Sequence, residues 1–246
     1  MGLSGGIDSA ITLYYANQIS DCKAIILPTS INSLESLNDA KQLCENLLVT
    51  AEIISIEKYF DKFSHDLLDQ KNIENQDISF QNLQSRIRGM ILMTIANKES
   101  RILLTTGNKS EYLTGYSTIY GDMNGGFNPI KDLYKSEVFE LARYINIKHQ
   151  KETIPINIIN KEPSAELCIN QKDSDSLPEY KILDQILYEY IELGYSVELL
   201  RNKYTSEIID KITRLISKSE FKRRQSAPGV ILSTRSLDKM EWYYNI

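Results

Sequence analysis

Ser4-Gly5-Gly6-Ile7-Asp8-Ser9, preceded by Gly2-Leu3, runs directly into a helical pattern and decides how the rest of the chain is read. Glycines admit positive φ and close backbone approach, and a helix N-terminus presents unpaired N–H groups and partial positive charge. Two serine hydroxyls and a nest of amides suit a pyrophosphate. The Asp8 carboxylate would repel phosphate unless a divalent cation stood between them, so its presence implies Mg²⁺. Ile11, Tyr14, Tyr15 and Ile19 carry the helical spacing, with Asp8 or Ser9 as its cap. The Gly-Lys-Ser/Thr ending of a Walker loop and the G-x-G-x-x-G spacing are both absent. A plain helix-capping turn is the bland alternative.

Outward from this loop, strand and helix signals alternate. Lys23–Pro28 is a short apolar run ended by proline, and Ala51–Ile56 alternates as a strand does. Between them, Ser36-Leu37-Asn38-Asp39 has capping-box shape ahead of Ala40, Leu43, Cys44 and Leu47. Asn82–Asn97 is a long amphipathic helix and Arg101–Thr106 a further strand. Strands parted by helices, with no two-residue hairpin turns, predict parallel βαβ units. Helices follow at Tyr134–Ile145, Pro178–Leu193 (ending before Gly194) and Thr205–Lys218. The polar stretch Gln150–Leu177, with Pro155 and Pro163, reads as a loop or lid. The expected architecture is α/β, a parallel sheet flanked by helices in three Rossmann-like layers, with a helical C-terminal extension, forming one domain over residues 1–246.

Composition narrows the chemistry. The chain has 246 residues, 42% hydrophobic and 25% charged, with a net charge of −5. That balance argues against a nucleic-acid-coating protein, whose affinity comes from neutralised phosphates. Three dispersed cysteines, Cys22, Cys44 and Cys168, and two histidines, His65 and His149, supply neither a disulfide framework nor a zinc or Ser-His-Asp set. No run approaches the roughly 18 apolar residues of a membrane span, and no signal peptide is recognisable. A cytoplasmic protein is expected.

The loop resembles the pyrophosphate loop of the ATP pyrophosphatases, which cleave ATP to AMP and pyrophosphate. A second block narrows the family. Thr105-Thr106-Gly107-Asn108-Lys109-Ser110-Glu111, Gly115-Tyr116, Tyr120-Gly121-Asp122, and Asn128-Pro129-Ile130-Lys131-Asp132 with Tyr134-Lys135-Ser136 are similar to NAD synthetase. Asn82–Arg88 resembles that family's N-x-Q-A-R-x-R helix, Pro163–Leu167 its P-T/S-A-E/D-L segment, and Lys222–Gln225 its K-R-x-Q signature. Read without the family, Arg86 and Arg88 would be a solvated helix face and Lys222-Arg223-Arg224 a solvated patch.

The resemblance implies that Gly2, Leu3, Ser4, Gly5, Gly6, Ile7, Asp8 and Ser9 hold the ATP phosphates. Asp8 and Glu111 would ligate Mg²⁺, and Thr106, Lys135 and Ser164 would complete the ATP site. Arg86 and Lys222 would meet deamido-NAD (nicotinate adenine dinucleotide). Asp8, Glu111 and Lys135 would carry the catalysis. Three positions depart from the ammonia-dependent pattern: Ile119 stands for lysine, Gly126 for aspartate and Phe221 for histidine. The expected reaction is amidation of deamido-NAD through an adenylated intermediate, giving NAD, AMP and pyrophosphate. Ammonia is the expected donor, since no amidase domain is recognisable, although an external amidase subunit would serve. A homodimer is implied as well. The front is short: Met1-Gly2-Leu3 supplies only the end of a first strand, without the usual N-terminal helix. The rival readings are another ligase of the superfamily, such as GMP synthetase, and a nucleotide-binding paralogue without turnover.

Overall fold

Alternate residues of one short strand enter two different cores, and this sets the layers. The computed structural model describes residues 1–68 and 77–238. Strand β1 (Lys23–Ile26) pairs in parallel with β2 (Thr50–Ile53), Lys23 opposite Thr50 and Ile26 opposite Ile53. Ala24 and Ile26 join a core with Ile11, Leu13, Leu43, Val138 and Ile145. Ile25 and Leu27 face the other way, onto Ile56 and Ile87. Side chains of a strand alternate between faces, so a strand apolar throughout is covered on both sides.

The first core belongs to α1 (Ile7–Asn17), α2 (Leu34–Leu47), α6 (Lys135–His149) and α7 (Ile156–Asn160). The second lies under α3 (Glu57–Leu67) and α4 (Ile78–Lys98). The expected α/β three-layer arrangement is therefore present. Met1–Leu3 pairs along the other side of β1: the Leu3 N–H donates to the Ile25 carbonyl at 2.9 Å, and the Ile25 N–H to the Met1 carbonyl at 2.9 Å. The β2 pairing continues beyond the regular strand, through the Ile54 and Ile56 N–H groups onto Ile26 and Pro28.

Arg101–Thr106 is shorter as a strand than its apolar run suggests. It forms one parallel bridge, Leu104 to Phe127, flanked by hydrogen bonds from Gly126 to Leu103 and from Thr105 to Phe127. Among the described residues its ladder partner is the Gly125–Asn128 stretch alone, and Pro129 cannot donate to a ladder. A third core gathers Tyr112, Leu183, Leu187, Leu200, Ile212 and Ile216. They come from α5 (Lys109–Thr114) and from α8 (Tyr180–Leu187), α9 (Val197–Arg201) and α10 (Ser206–Lys218), the last three forming the C-terminal extension. The helical run from Tyr180 changes to a π-helical turn over Tyr188–Glu192 before Gly194. Within Gln150–Leu177 the regular elements are α7 and a 3₁₀ turn at Asp173–Asp175, so most of it is loop, as expected.

Two caps differ from the sequence reading. Helix α1 begins after Gly6, with no side-chain cap, in place of Asp8 or Ser9. Helix α2 is capped by Ser33, whose Oγ accepts from the Ser36 N–H at 3.1 Å, so Ser36 lies inside the helix. Among the described residues no helix is long and apolar enough to cross a membrane.

Candidate active site

The glycine loop is closed by its own hydroxyls. The Ser4 and Ser9 hydroxyls lie 3.2 Å apart, the Gly6 N–H donates to Ser4 Oγ at 3.2 Å, and Ser9 Oγ donates to the Gly6 carbonyl at 3.0 Å. Gly5 has φ +81°, and a Cβ there would sit 2.2 Å from the Ser36 carbonyl oxygen. The position thus requires glycine twice over, for its dihedral and for its contact. At Gly6 a Cβ would meet only Ser4 Oγ, at 3.2 Å. The uncapped start of α1 leaves the amides of its first turn directed at this loop, which is what an anion needs.

Asp8 stands in that first turn and meets residues 100 and 127 positions away. Its Oδ2 accepts from the Lys135 ammonium, and its Oδ1 from Asn108 Nδ2 at 2.9 Å. Lys135 also reaches Glu111 Oε1 at 3.5 Å. Asn108 and Glu111 form a capping box on α5: the Glu111 N–H donates to Asn108 Oδ1 at 3.0 Å, and the Asn108 N–H to Glu111 Oε2 at 3.1 Å. One asparagine therefore ties the loop aspartate to the α5 glutamate.

Lys135 is held from behind. Ser110 Oγ accepts its backbone N–H at 3.0 Å and donates to Asp184 Oδ1 at 2.5 Å, while Asp184 Oδ2 accepts the Ser136 N–H at 2.7 Å. The Tyr180 ring lies 5.3 Å from its ammonium. Burial alone would lower the Lys135 pKa, but Asp8 and Glu111 hold it above the ordinary lysine value. Burial and then the Asp8 charge push Glu111 up to about 8. Burial likewise raises Asp173, whose Oδ2 accepts from the Tyr180 hydroxyl at 2.8 Å.

The centre thus holds more carboxyl groups than one ammonium could neutralise if all were ionised. Among the described residues no group of three or more His, Cys, Asp or Glu side chains is arranged to hold a metal by itself. Two partly shielded carboxylates are instead the donor set that suits Mg²⁺ when phosphates and waters complete its shell.

The remaining expected residues fall into two places. Thr106 ends the Arg101–Thr106 segment and is half-buried. Ser164 lies in the long loop, where its Oγ donates to the Gln171 carbonyl at 2.6 Å and accepts the Glu166 N–H at 3.0 Å. Arg86 and Lys222 meet on the segment between α5 and the Gly125–Asn128 stretch. Arg86 Nε donates to the Ile119 carbonyl at 3.3 Å, and Lys222 Nζ to the Gly115 and Ser117 carbonyls at 2.7 and 2.6 Å. Burial lowers the Lys222 pKa, with Asp122 opposing. Of the departures, Ile119 packs against the C-terminal core, Gly126 backs onto Ile102 at 2.9 Å from a Cβ, and Phe221 is half-exposed.

Two solvated-face readings are corrected. Arg88 is half-buried and donates to the Leu27 carbonyl at 3.0 Å and to Asn32 Oδ1 at 3.1 Å, because α4 packs that face on the end of β1. Arg223 is buried against the Leu113 and Ile216 carbonyls. The sequence reading also passed over Asp184 and Tyr180. Asp184 had a signal, a lone acid beside Leu183, Ile186 and Leu187 on an apolar helix face. None of the three thiols is activated: burial raises Cys22 and Cys168 and pushes Cys44 up to about 11.

Comparison with known proteins adds an independent line. The NAD synthase family model matches residues 1–226. The glutamine-dependent NAD(+) synthetase of Thermotoga maritima is 42% identical over 246 residues, covering 98% of this chain but 42% of that protein. The chain thus spans less than half the length of this curated relative. Among solved structures, NMN synthetase from Francisella tularensis has a TM-score of 0.75 at 31% identity, covering 94% of this chain and 87% of the other. The NH3-dependent NAD synthetase from Campylobacter jejuni has a TM-score of 0.72 at 30% identity, with the same coverage.

Proposed function

The chain belongs to the NAD synthase family, and on that premise we propose that it amidates deamido-NAD with ammonia at the expense of ATP, releasing NAD, AMP and pyrophosphate. The observation that carries this reading is the Lys135 ammonium set between Asp8 of the glycine loop and Glu111 of α5. A carboxylate is a poor electrophile because oxide leaves badly. Attack of the nicotinate carboxylate on the α-phosphorus expels pyrophosphate and gives an acyl adenylate, and ammonia then displaces AMP. No covalent protein nucleophile is required, which suits a centre where, among the described residues, no histidine activates a serine or cysteine.

In this reading the amides of Gly5–Ser9, with Gly2, Leu3 and Ser4 leading in, bind the phosphates. Lys135 lies where charge grows on the departing pyrophosphate. Thr106 and Ser164 line the nucleotide. Asp8 and Glu111 are the residues that would hold Mg²⁺, which when bound neutralises phosphate oxygens beside them. Arg86 and Lys222 orient the second substrate from the Gly115–Ile119 side. Ammonia is the donor in this reading, reaching the site free or from an external amidase. We further propose a homodimer, which the solution molar mass from sedimentation equilibrium would test.

The test is a product assay: ATP, Mg²⁺, ammonium and deamido-NAD are supplied, and NAD, AMP and pyrophosphate are expected in equal amounts. Nicotinate mononucleotide is run beside it, because a structural neighbour is an NMN synthetase. Amidation of the mononucleotide alone would move the substrate assignment. GMP formed from XMP would instead favour the sister ligase, and ATP bound without product would favour a paralogue without turnover.

A further inference from the structure

A carboxylate from the long loop is seated beside the glycine loop. Glu166 Oε1 accepts from Ser33 Oγ at 3.1 Å and from the Ser36 hydroxyl, and its Oε2 accepts from Asn32 Nδ2 at 3.2 Å. These three residues open α2, and the Ser36 carbonyl is the atom that Gly5 touches. Lys161, at the start of the same loop, donates to Ser36 Oγ at 2.5 Å and pairs with Asp39 at 3.2 Å and with Glu166 at 4.0 Å. Arg88 holds the other side of Asn32.

The loop behind Glu166 is drawn into a ring. Ser164 bonds to both the Glu166 N–H and the Gln171 carbonyl, Gln171 Oε1 accepts the Leu167 N–H at 2.8 Å, and the Asp173 N–H donates to the Pro163 carbonyl at 3.0 Å. Glu166 itself has φ +47°, a conformation that a residue with a side chain enters only when its surroundings impose it. A strained backbone, a carboxylate with three donors and a cation at its flank fit an anchor better than a chance surface contact.

We propose that Glu166 is a positioning residue for ATP: its carboxylate latches the 161–173 loop onto the first turn of α2, where the Ser36 carbonyl backs Gly5, and thereby fixes the turn that carries Ser164. The proposal rests on the reading that ATP occupies that loop. Breaking the latch frees Ser164 without touching Asp8, Glu111 or Lys135, so ATP affinity suffers while turnover at saturation does not.

The test uses Glu166→Ala, Glu166→Gln and, from the partner side, Ser36→Ala in the full chain. Two readouts are taken: KM for ATP against kcat, and the rate at which trypsin cuts the ligand-free protein after Lys161 and Lys172. For Glu166→Ala a rise of about tenfold in KM is expected with kcat within about twofold, together with cleavage about tenfold faster. Glu166→Gln, which keeps one acceptor oxygen, should fall between this variant and wild type. The double variant of Glu166 and Ser36 should be no worse than the poorer single one. Unchanged KM and unchanged cleavage in Glu166→Ala or in Ser36→Ala would overturn the latch. Wild type that fails to bind ATP would instead strike the functional reading, with the cleavage rates still judging the latch.

Discussion

The Lys135 ammonium donates to the Asp8 carboxylate across 127 residues of sequence, joining the first turn of α1 to the first residue of α6. A lysine at a helix start is disfavoured by the helix dipole. Two acidic neighbours, Asp8 and Glu111, offset that cost and hold the cation at one edge of the glycine loop.

Replacing Lys135 with Met should therefore leave the protein folded yet lower kcat by about 10²–10³, with a smaller effect on ATP affinity. Asp8→Asn and Glu111→Gln should each lower activity and raise the Mg²⁺ concentration needed for half-maximal rate. A magnesium titration of each variant checks this. Full activity with ordinary Mg²⁺ dependence in both carboxylate variants would remove the metal assignment.

Glu111 predicts a pH effect on folding. Its carboxyl is raised from 4.5 to about 8, by burial first and then by Asp8. The native protein thus binds a proton that the unfolded chain has released over that interval. Stability from this group is fully present below the unfolded value and is lost as pH rises through about 8. Denaturant melts of the ligand-free protein from pH 5 to pH 9 should show this fall, and Glu111→Gln should flatten it.

The two loop glycines should separate stability from binding. Gly5→Ala combines a positive φ with a backbone clash and should cost about 2 kcal/mol or more of stability. Gly6→Ala meets only the end of a serine side chain, so its melting temperature should stay near that of wild type. Its methyl enters the phosphate space, and calorimetry should show weakened ATP binding. Normal ATP affinity in Gly6→Ala would contradict the role given to the loop.

Lys109 tests the structural half of the same motif. Its ammonium is fully buried between Asp132 at 2.9 Å and Glu192 at 2.5 Å. Lys109→Met strands two carboxylates and should cost about 3–5 kcal/mol by chemical denaturation. Adding Asp132→Asn should recover part of that loss.

The sequence showed the glycine loop, the acids and the lysine because each has a chemical reason to stand in its motif. The βαβ order was equally legible, since β1 is apolar on both faces and α1 and α2 repeat at helical spacing. Long-range partners were not. Nothing local in Asn108-Lys109-Ser110-Glu111 says that Asn108 reaches Asp8 while Lys109 turns into the core. Arg88 reads as a surface residue until α4 is packed on the end of β1. Arg101–Thr106 is strand-like by composition, but its partner is too short to extend the ladder. Glu166 carries no sequence signal of an anchor, because its three partners lie more than a hundred residues earlier.

The most direct measurement follows the oxygen of the reacting carboxylate. Deamido-NAD carrying oxygen-18 in its nicotinate carboxyl group is turned over with ATP, Mg²⁺ and ammonium, and the products are examined by mass spectrometry. Activation at the α-phosphorus places one labelled oxygen in AMP, with NAD formed in equal amount. Label in pyrophosphate or inorganic phosphate, or NAD formed with unlabelled AMP, would contradict the adenylated route.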